Sequence, residues 1–156
     1  MSTTTLTEIP ELQAARESAQ AQQLPHAGSV EPTVAWQLVQ RGHALLVDVR
    51  SAEERKFVGH VPGSLHLPWA TGTSLTRNPR FARELAALAA KHADQGALLL
   101  LCRSGKRSAL AAEVAAQAGL THVFNVSEGF EGDLDDAQQR GHFNGWRYYG
   151  LPWTQD

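Results

Sequence analysis

Apolar residues fall along this chain in two rhythms, and their alternation sets the expected architecture. Continuous apolar runs occur at residues 44–47 (Ala-Leu-Leu-Val) and 97–101 (Ala-Leu-Leu-Leu-Leu), and residues 122–126 (His-Val-Phe-Asn-Val) read as another strand. Runs of that length and branching suit strands buried on both faces. Between them the spacing changes to that of helices. Residues 33–40 read as a short helix stopped by Gly42, and Ser51 with Glu53 and Glu54 as a cap and first turn. Asn78-Pro79 opens a helix whose Phe81, Leu85 and Leu88 share one face, and the helix after residue 108 stops at Gly119. Residues 64–68 read as a further short strand, residues 59–63 as a turn, and a short helix is expected from Asp133.

Strands alternating with helices predict a single α/β domain. Its core is a central, mostly parallel sheet of about five strands with helices on both faces. Ligands of such sheets bind beyond the carboxyl ends of the strands. Here those ends carry Asp48 to Arg50, Pro68 and Trp69, Cys102 onward, and Asn125 to Glu128, so separate segments are expected to converge on the cysteine.

The domain is expected over residues 31–156. Residues 1–30 are poor in large apolar side chains. Pro10 suits the start of a helix with Leu12, Ala15 and Ala19 on one side, but so small an apolar face favours a partly ordered arm over a docked helix.

Composition narrows the chemistry. The 156 residues suffice for one domain with a hydrophobic core, and a net charge of −2 gives no footprint for nucleic acid or an anionic membrane. The single cysteine excludes an internal disulfide and a mechanism with an intramolecular resolving thiol. The seven histidines show no metal-ligand pairing, so no metal and no cofactor is expected. Without a targeting or membrane-spanning segment in view, the expectation is a soluble, cytoplasmic chain.

The chemistry concentrates in residues 102–108, Cys-Arg-Ser-Gly-Lys-Arg-Ser, where an apolar strand stops and a helix begins. A thiol there faces backbone N–H groups at a helix N-terminus beside Arg103, Lys106 and Arg107, which favours thiolate over thiol. Three cations oppose the helix dipole at that end, and a bound anion or thiolate would offset the cost. Gly105 supplies the freedom for a tight loop. Phosphatase sites of the protein-tyrosine type place His before the cysteine and Arg after five further residues. Here Leu101 precedes it and Arg107 follows after four. The smaller loop suits a persulfide better than a phosphate ester.

With residues 47–50 (Val-Asp-Val-Arg), Glu53 and Glu54, residues 59–64 (Gly-His-Val-Pro-Gly-Ser), Leu67-Pro68, Asn125-Val126, Glu128-Gly129-Phe130 and the closing Gly145-Trp146 and Gly150-Leu151-Pro152, this loop resembles the rhodanese family of sulfurtransferases over roughly residues 31–155. The resemblance implies a rhodanese-like domain and a ping-pong sulfur transfer. Cys102 is then the nucleophile that takes sulfur from thiosulfate or another anionic donor. It passes that sulfur to a thiol or to cyanide. Arg103, Ser104, Gly105, Lys106, Arg107 and Ser108 bind the substrate, and the charged loop favours thiosulfate over 3-mercaptopyruvate. The alternative is a persulfide carrier fed by a protein donor and delivering to a partner protein.

Asp48, Arg50 and Trp69 are candidates for shaping the site. For Asp48 and Arg50 a structural ion pair is the simpler reading, since thiol chemistry needs no carboxylate. Trp69 fits a pocket wall and a core aromatic equally. His60 reads as a hydrogen-bonded turn residue, and the aromatic tail at 146–153 as packing against the sheet.

Overall fold

The computed structural model describes residues 9–72 and 74–155. In chain order its elements are α1 (Pro10–Ala21), β1 (Ser29–Val30), α2 (Pro32–Gln40), β2 (Ala44–Asp48), α3 (Ala52–Phe57), β3 (Leu65–His66), β4 (Ala70–Thr71), β5 (Thr76–Arg77), α4 (Phe81–Lys91), β6 (Ala97–Leu101), α5 (Lys106–Gln117) and β7 (Val123–Val126). Five strands form one sheet in the order β1-β7-β6-β2-β3, with every neighbouring pair parallel. This is the single α/β domain with a five-stranded parallel sheet that the sequence predicts. β4 and β5 form a separate antiparallel ribbon that the hydrophobic pattern did not announce.

Side-chain alternation divides the core into two layers. Leu46, Leu99, Leu101, Phe124 and Val126 point to the side packed with Leu12, Leu38 and Trp146. Val47, Leu98, Leu100 and Val123 point to the other, packed with Phe81, Leu85 and the Ala111, Ala112 and Ala115 face of α5. All five residues of β6 are buried, which its unbroken apolar run requires. Cys102 continues that parity onto the α5 side and belongs to the same apolar cluster.

The N-terminal segment differs from the expected arm. Pro10 does open α1, and Leu12, Ala15 and Ala19 are all buried. A small apolar face suffices because α1 approaches the next segment very closely. A Cβ at Gly28 would lie 2.5 Å from the Ala15 carbonyl oxygen. Arg16 ties the helix to the Thr121 carbonyl at 2.7 Å, and Glu11 pairs with Arg41 at 2.9 Å. β1, inside the same segment, is an edge strand of the sheet.

The helix expected from Asp133 is not formed; residues 133–150 are turns and loop. Short polar side chains take the backbone bonds a helix would use. Asp135 Oδ1 accepts from the N–H groups of Ala137 and Gln139, and Asn144 Oδ1 accepts from Asp133 N–H. The closing aromatics divide. Trp146 is fully buried edge-on to Trp36, whereas Tyr148, Tyr149 and Trp153 stay partly exposed.

Candidate active site

Parallel pairing brings the carboxyl ends of β2, β6 and β7 to one edge, with Asp48 opposite Leu101 and Asn125 opposite Leu100. Cys102 leaves β6 there with 1% of its surface exposed. Its Sγ accepts the Gly105 N–H at 3.0 Å and lies 3.2 Å from Ser108 Oγ. Gly105 takes the left-handed conformation (φ 98°) as the residue capping α5, which begins at Lys106. The first amides of α5 have no carbonyl one turn back within the helix, so the sulfur sits at its positive end.

The loop cations do not act alike. Arg103 and Lys106 are exposed, Ser104 half-buried. Arg107 is committed to Glu54 through two bonds, Nη1–Oε1 at 2.7 Å and Nη2–Oε2 at 2.8 Å. The dipole cost of this cation is thus offset by a carboxylate of the protein, where the sequence suggested an anionic ligand. Glu54 also closes a capping box with Ser51 at the start of α3. Burial opposes ionisation of Glu54 most strongly. The Arg107 bonds and charge, helped by Ser51, outweigh it and bring the carboxyl down from 4.5 to about 2. The Arg107 guanidinium is raised in turn, chiefly by its hydrogen bonds to Glu54.

Asp48 and Arg50 form a fully buried pair. Asp48 accepts from the Arg50 backbone N–H and Nε at 3.0 Å, from Arg50 Nη2 at 2.8 Å and from Arg55 Nη1 at 3.0 Å. Arg50 Nη2 also donates to the Gly59 carbonyl, and its guanidinium lies 4.3 Å from the centre of the Phe130 ring. Phe130 N–H donates to the Cys102 carbonyl at 2.8 Å, and Glu131 N–H to that of Arg103 at 2.9 Å. The pair therefore supports the Cys102 loop from behind through Phe130. Gly129 makes this contact possible. Its φ is 69°, and a Cβ there would lie 2.5 Å from the Arg103 carbonyl.

Trp69 is a core aromatic, 6% exposed, edge-on to Phe81 and covered by Arg77 at 4.2 Å. It shares the apolar cluster of Cys102 but is not among the residues lining the cavity beside the loop. That open cavity, of ≈390 Å³, is lined by Arg103, Arg107 and Arg140 together with Glu53, Glu54 and Glu131. His60 is held in its turn by paired backbone bonds with Thr154.

Of two further polar residues at the site, Ser29 went unmarked in the sequence, and Asn125 was marked only as a strand end near the cysteine, without its side-chain role. Asn125 Oδ1 accepts from Ser108 Oγ at 2.5 Å, and Asn125 Nδ2 donates to Ser29 Oγ at 3.2 Å. An amide inside an otherwise apolar strand, sharing the parity of Val123, was the available signal. Ser29 gave none, because nothing local placed β1 against β7. Among the described residues no group of acidic, histidine or cysteine side chains is arranged to hold a metal ion.

A family model described as Rhodanese-like domain matches residues 31–135. The uncharacterized protein RP600 of Rickettsia prowazekii (strain Madrid E) is 36% identical over 116 residues, which span 74% of this chain and 87% of that protein. The crystal structure of Rv0390 from M. tuberculosis superposes with a TM-score of 0.69 at 41% identity, covering 82% of this chain and 97% of that one. The polysulfide-sulfur transferase homodimer from Wolinella succinogenes shares the fold at a TM-score of 0.51 and 19% identity, covering 96% of this chain and 88% of its own. With two thirds of its length matched and a loop of the expected form around Cys102, the chain belongs to the rhodanese-like family.

Proposed function

We propose that the protein is a thiosulfate sulfurtransferase working through a persulfide on Cys102. The observation that carries this reading is the sulfur itself, at the end of β6, receiving the Gly105 N–H at 3.0 Å at the start of α5. Membership of the rhodanese-like family supports sulfur transfer as the general chemistry.

In the first half-reaction the Cys102 thiolate attacks the outer sulfur of thiosulfate. A sulfur–sulfur bond forms to Cys102. The bond to the sulfonate sulfur breaks, and its electron pair leaves with sulfite. In the second, an acceptor thiolate or cyanide attacks the outer sulfur of the persulfide, and Cys102 departs as thiolate. The Gly105 N–H stabilises the charge on sulfur in both resting and released forms. Arg103 and Lys106, exposed beside the thiol, draw in the dianionic donor, while Arg107 holds the loop through Glu54. A lone free cysteine suits a reducing compartment, and the cytoplasm is the proposed location. Partners are an anionic sulfur donor and a thiol or protein acceptor. No helix among the described residues is long and apolar enough to cross a membrane.

Intact-protein mass spectrometry after incubation with excess thiosulfate tests the reading. The expected result is a gain of one sulfur atom that disappears on adding a thiol and is absent in Cys102→Ser. A chain that gains no sulfur, yet is readily alkylated by iodoacetamide, would overturn thiosulfate as donor and leave the carrier fed by a protein donor.

A further inference from the structure

Behind the thiol runs a buried line of polar side chains that the transfer chemistry does not require. Ser108 is fully buried and Asn125 is 5% exposed. The line runs from Cys102 Sγ to Ser108 Oγ (3.2 Å), to Asn125 Oδ1 (2.5 Å), and from Asn125 Nδ2 to Ser29 Oγ (3.2 Å) on β1. A hydroxyl has one proton to give and lone pairs to receive with. Two acceptors compete for the Ser108 proton, and the short contact to Asn125 wins it. That distance is short even for O–H···O and too short for N–H···O, whereas 3.2 Å suits an amide N–H. The amide oxygen therefore faces Ser108 and the amide nitrogen faces Ser29.

We propose that Asn125 is a positioning residue that tempers Cys102 by holding the Ser108 hydroxyl proton away from the sulfur. What Ser108 then presents to sulfur is a lone pair. A lone pair accepts from a thiol S–H and offers nothing to a thiolate, which keeps only the Gly105 N–H. Register explains how the arrangement arises. Asn125 pairs with Leu100 on one side and Ser29 on the other, and its parity turns it toward the α5 face where Ser108 is buried. The N-terminal segment thereby reaches the nucleophile, because Ser29 fixes the amide that fixes the hydroxyl.

The inference rests on Cys102 being the nucleophile, and its test needs no sulfur donor. The rate of iodoacetamide alkylation of the full chain is measured against pH. With one cysteine in the sequence, a single adduct reports a single site. Asn125→Ala frees the hydroxyl to donate to sulfur, so alkylation at neutral pH should rise roughly three- to ten-fold, the worth of one hydrogen bond, and the profile should move to lower pH. Asn125→Asp, which holds the proton more firmly and adds a negative charge, should slow it. In a Ser108→Ala background, Asn125→Ala should change nothing. Alanine and aspartate acting in the same direction, or an alanine effect that persists without Ser108, would overturn the proposal. Ser29→Ala guards against a variant that does not fold, since it loosens only the outer end of the amide. Faster alkylation supports the inference, and the wild-type rate overturns it. A wild-type chain that alkylates but accepts no sulfur from thiosulfate counts against the proposed transfer alone.

Discussion

The guanidinium of Arg107 and the carboxylate of Glu54 meet in a two-pronged pair, 2.7 and 2.8 Å, that joins the first turn of α5 to the first turn of α3. Both side chains are more than four-fifths shielded from solvent. Paired so, Arg107 acts on the shape of the loop more than on the charge an incoming anion meets. Arg107→Ala leaves a shielded carboxylate without its main partner and should lower stability by about 2 kcal/mol, with any change in KM for thiosulfate accompanied by that loss. Glu54→Gln in the same chain removes the stranded charge and keeps the cap. Urea denaturation of the two single variants and the double variant checks this. The double variant should lose clearly less than the sum of the singles, and strict additivity would show the pair to be uncoupled.

The same pair sets an acid limit. Glu54 is brought from 4.5 to about 2 against the opposition of burial. A carboxylate whose folded value is depressed binds more protons in the unfolded chain, so its stabilisation is fully present above 4.5 and is lost as pH falls toward 2. The contribution is on the order of 2–3 kcal/mol. Stability measured by denaturant between pH 5 and 2 should fall steeply in the wild type and more shallowly in Glu54→Gln. Matching slopes would remove Glu54 as the cause.

How much of this was legible in the sequence follows from which contacts are local. β2 and β6 were visible because strands buried on both faces leave unbroken apolar runs, and the Cys102 loop because its glycine, cations and following helix are contiguous. Asp48 and Arg50 lie two residues apart, so their pairing was a natural reading. Glu54 was visible only as a helix cap, because its other partner stands 53 positions away. β1 escaped notice because two residues carry no periodicity, and the docking of α1, though not the helix itself, because Ala15 and Ala19 look weak until the close approach of Gly28 is known. The helix expected from Asp133 failed for the opposite reason. Its Asp and Asn side chains compete locally for the backbone.

Gly129 tests whether the 128–132 segment supports the Cys102 loop. A Cβ there meets backbone atoms of Arg103 at 2.5 Å and the Cys102 carbonyl oxygen at 2.6 Å, and φ is already positive. Neither neighbour is a flexible side-chain end, so one loop must move. Gly129→Ala should cost about 2–4 kcal/mol and slow sulfur uptake by at least ~10-fold, because the bonds of Phe130 and Glu131 to the Cys102 and Arg103 carbonyls are displaced together. Denaturation and mass-spectrometric uptake kinetics on one preparation check both halves. A variant that is destabilised but transfers sulfur at the wild-type rate would show that the segment supports the fold and not the thiol.

The N-terminal helix offers the sharpest contrast between composition and packing. Leu12 is 1% exposed and packs in the layer that holds Leu38, Leu99, Phe124 and Trp146. If α1 belongs to the cooperative unit, truncating this side chain leaves a cavity in the main core, and Leu12→Ala should cost about 2–4 kcal/mol with a single unfolding transition. If α1 merely rests on the surface, the helix would detach first and the midpoint of the remaining domain would not move. Urea denaturation followed by tryptophan fluorescence separates the two cases. Trp36 and Trp146 report the layer α1 covers, and Trp69 reports the opposite one. Coincident loss of both signals at a lowered midpoint is the expected outcome. An unshifted midpoint would return the segment to the status of an arm, and would also weaken the case that Ser29, eight residues beyond the end of α1, holds Asn125 in place.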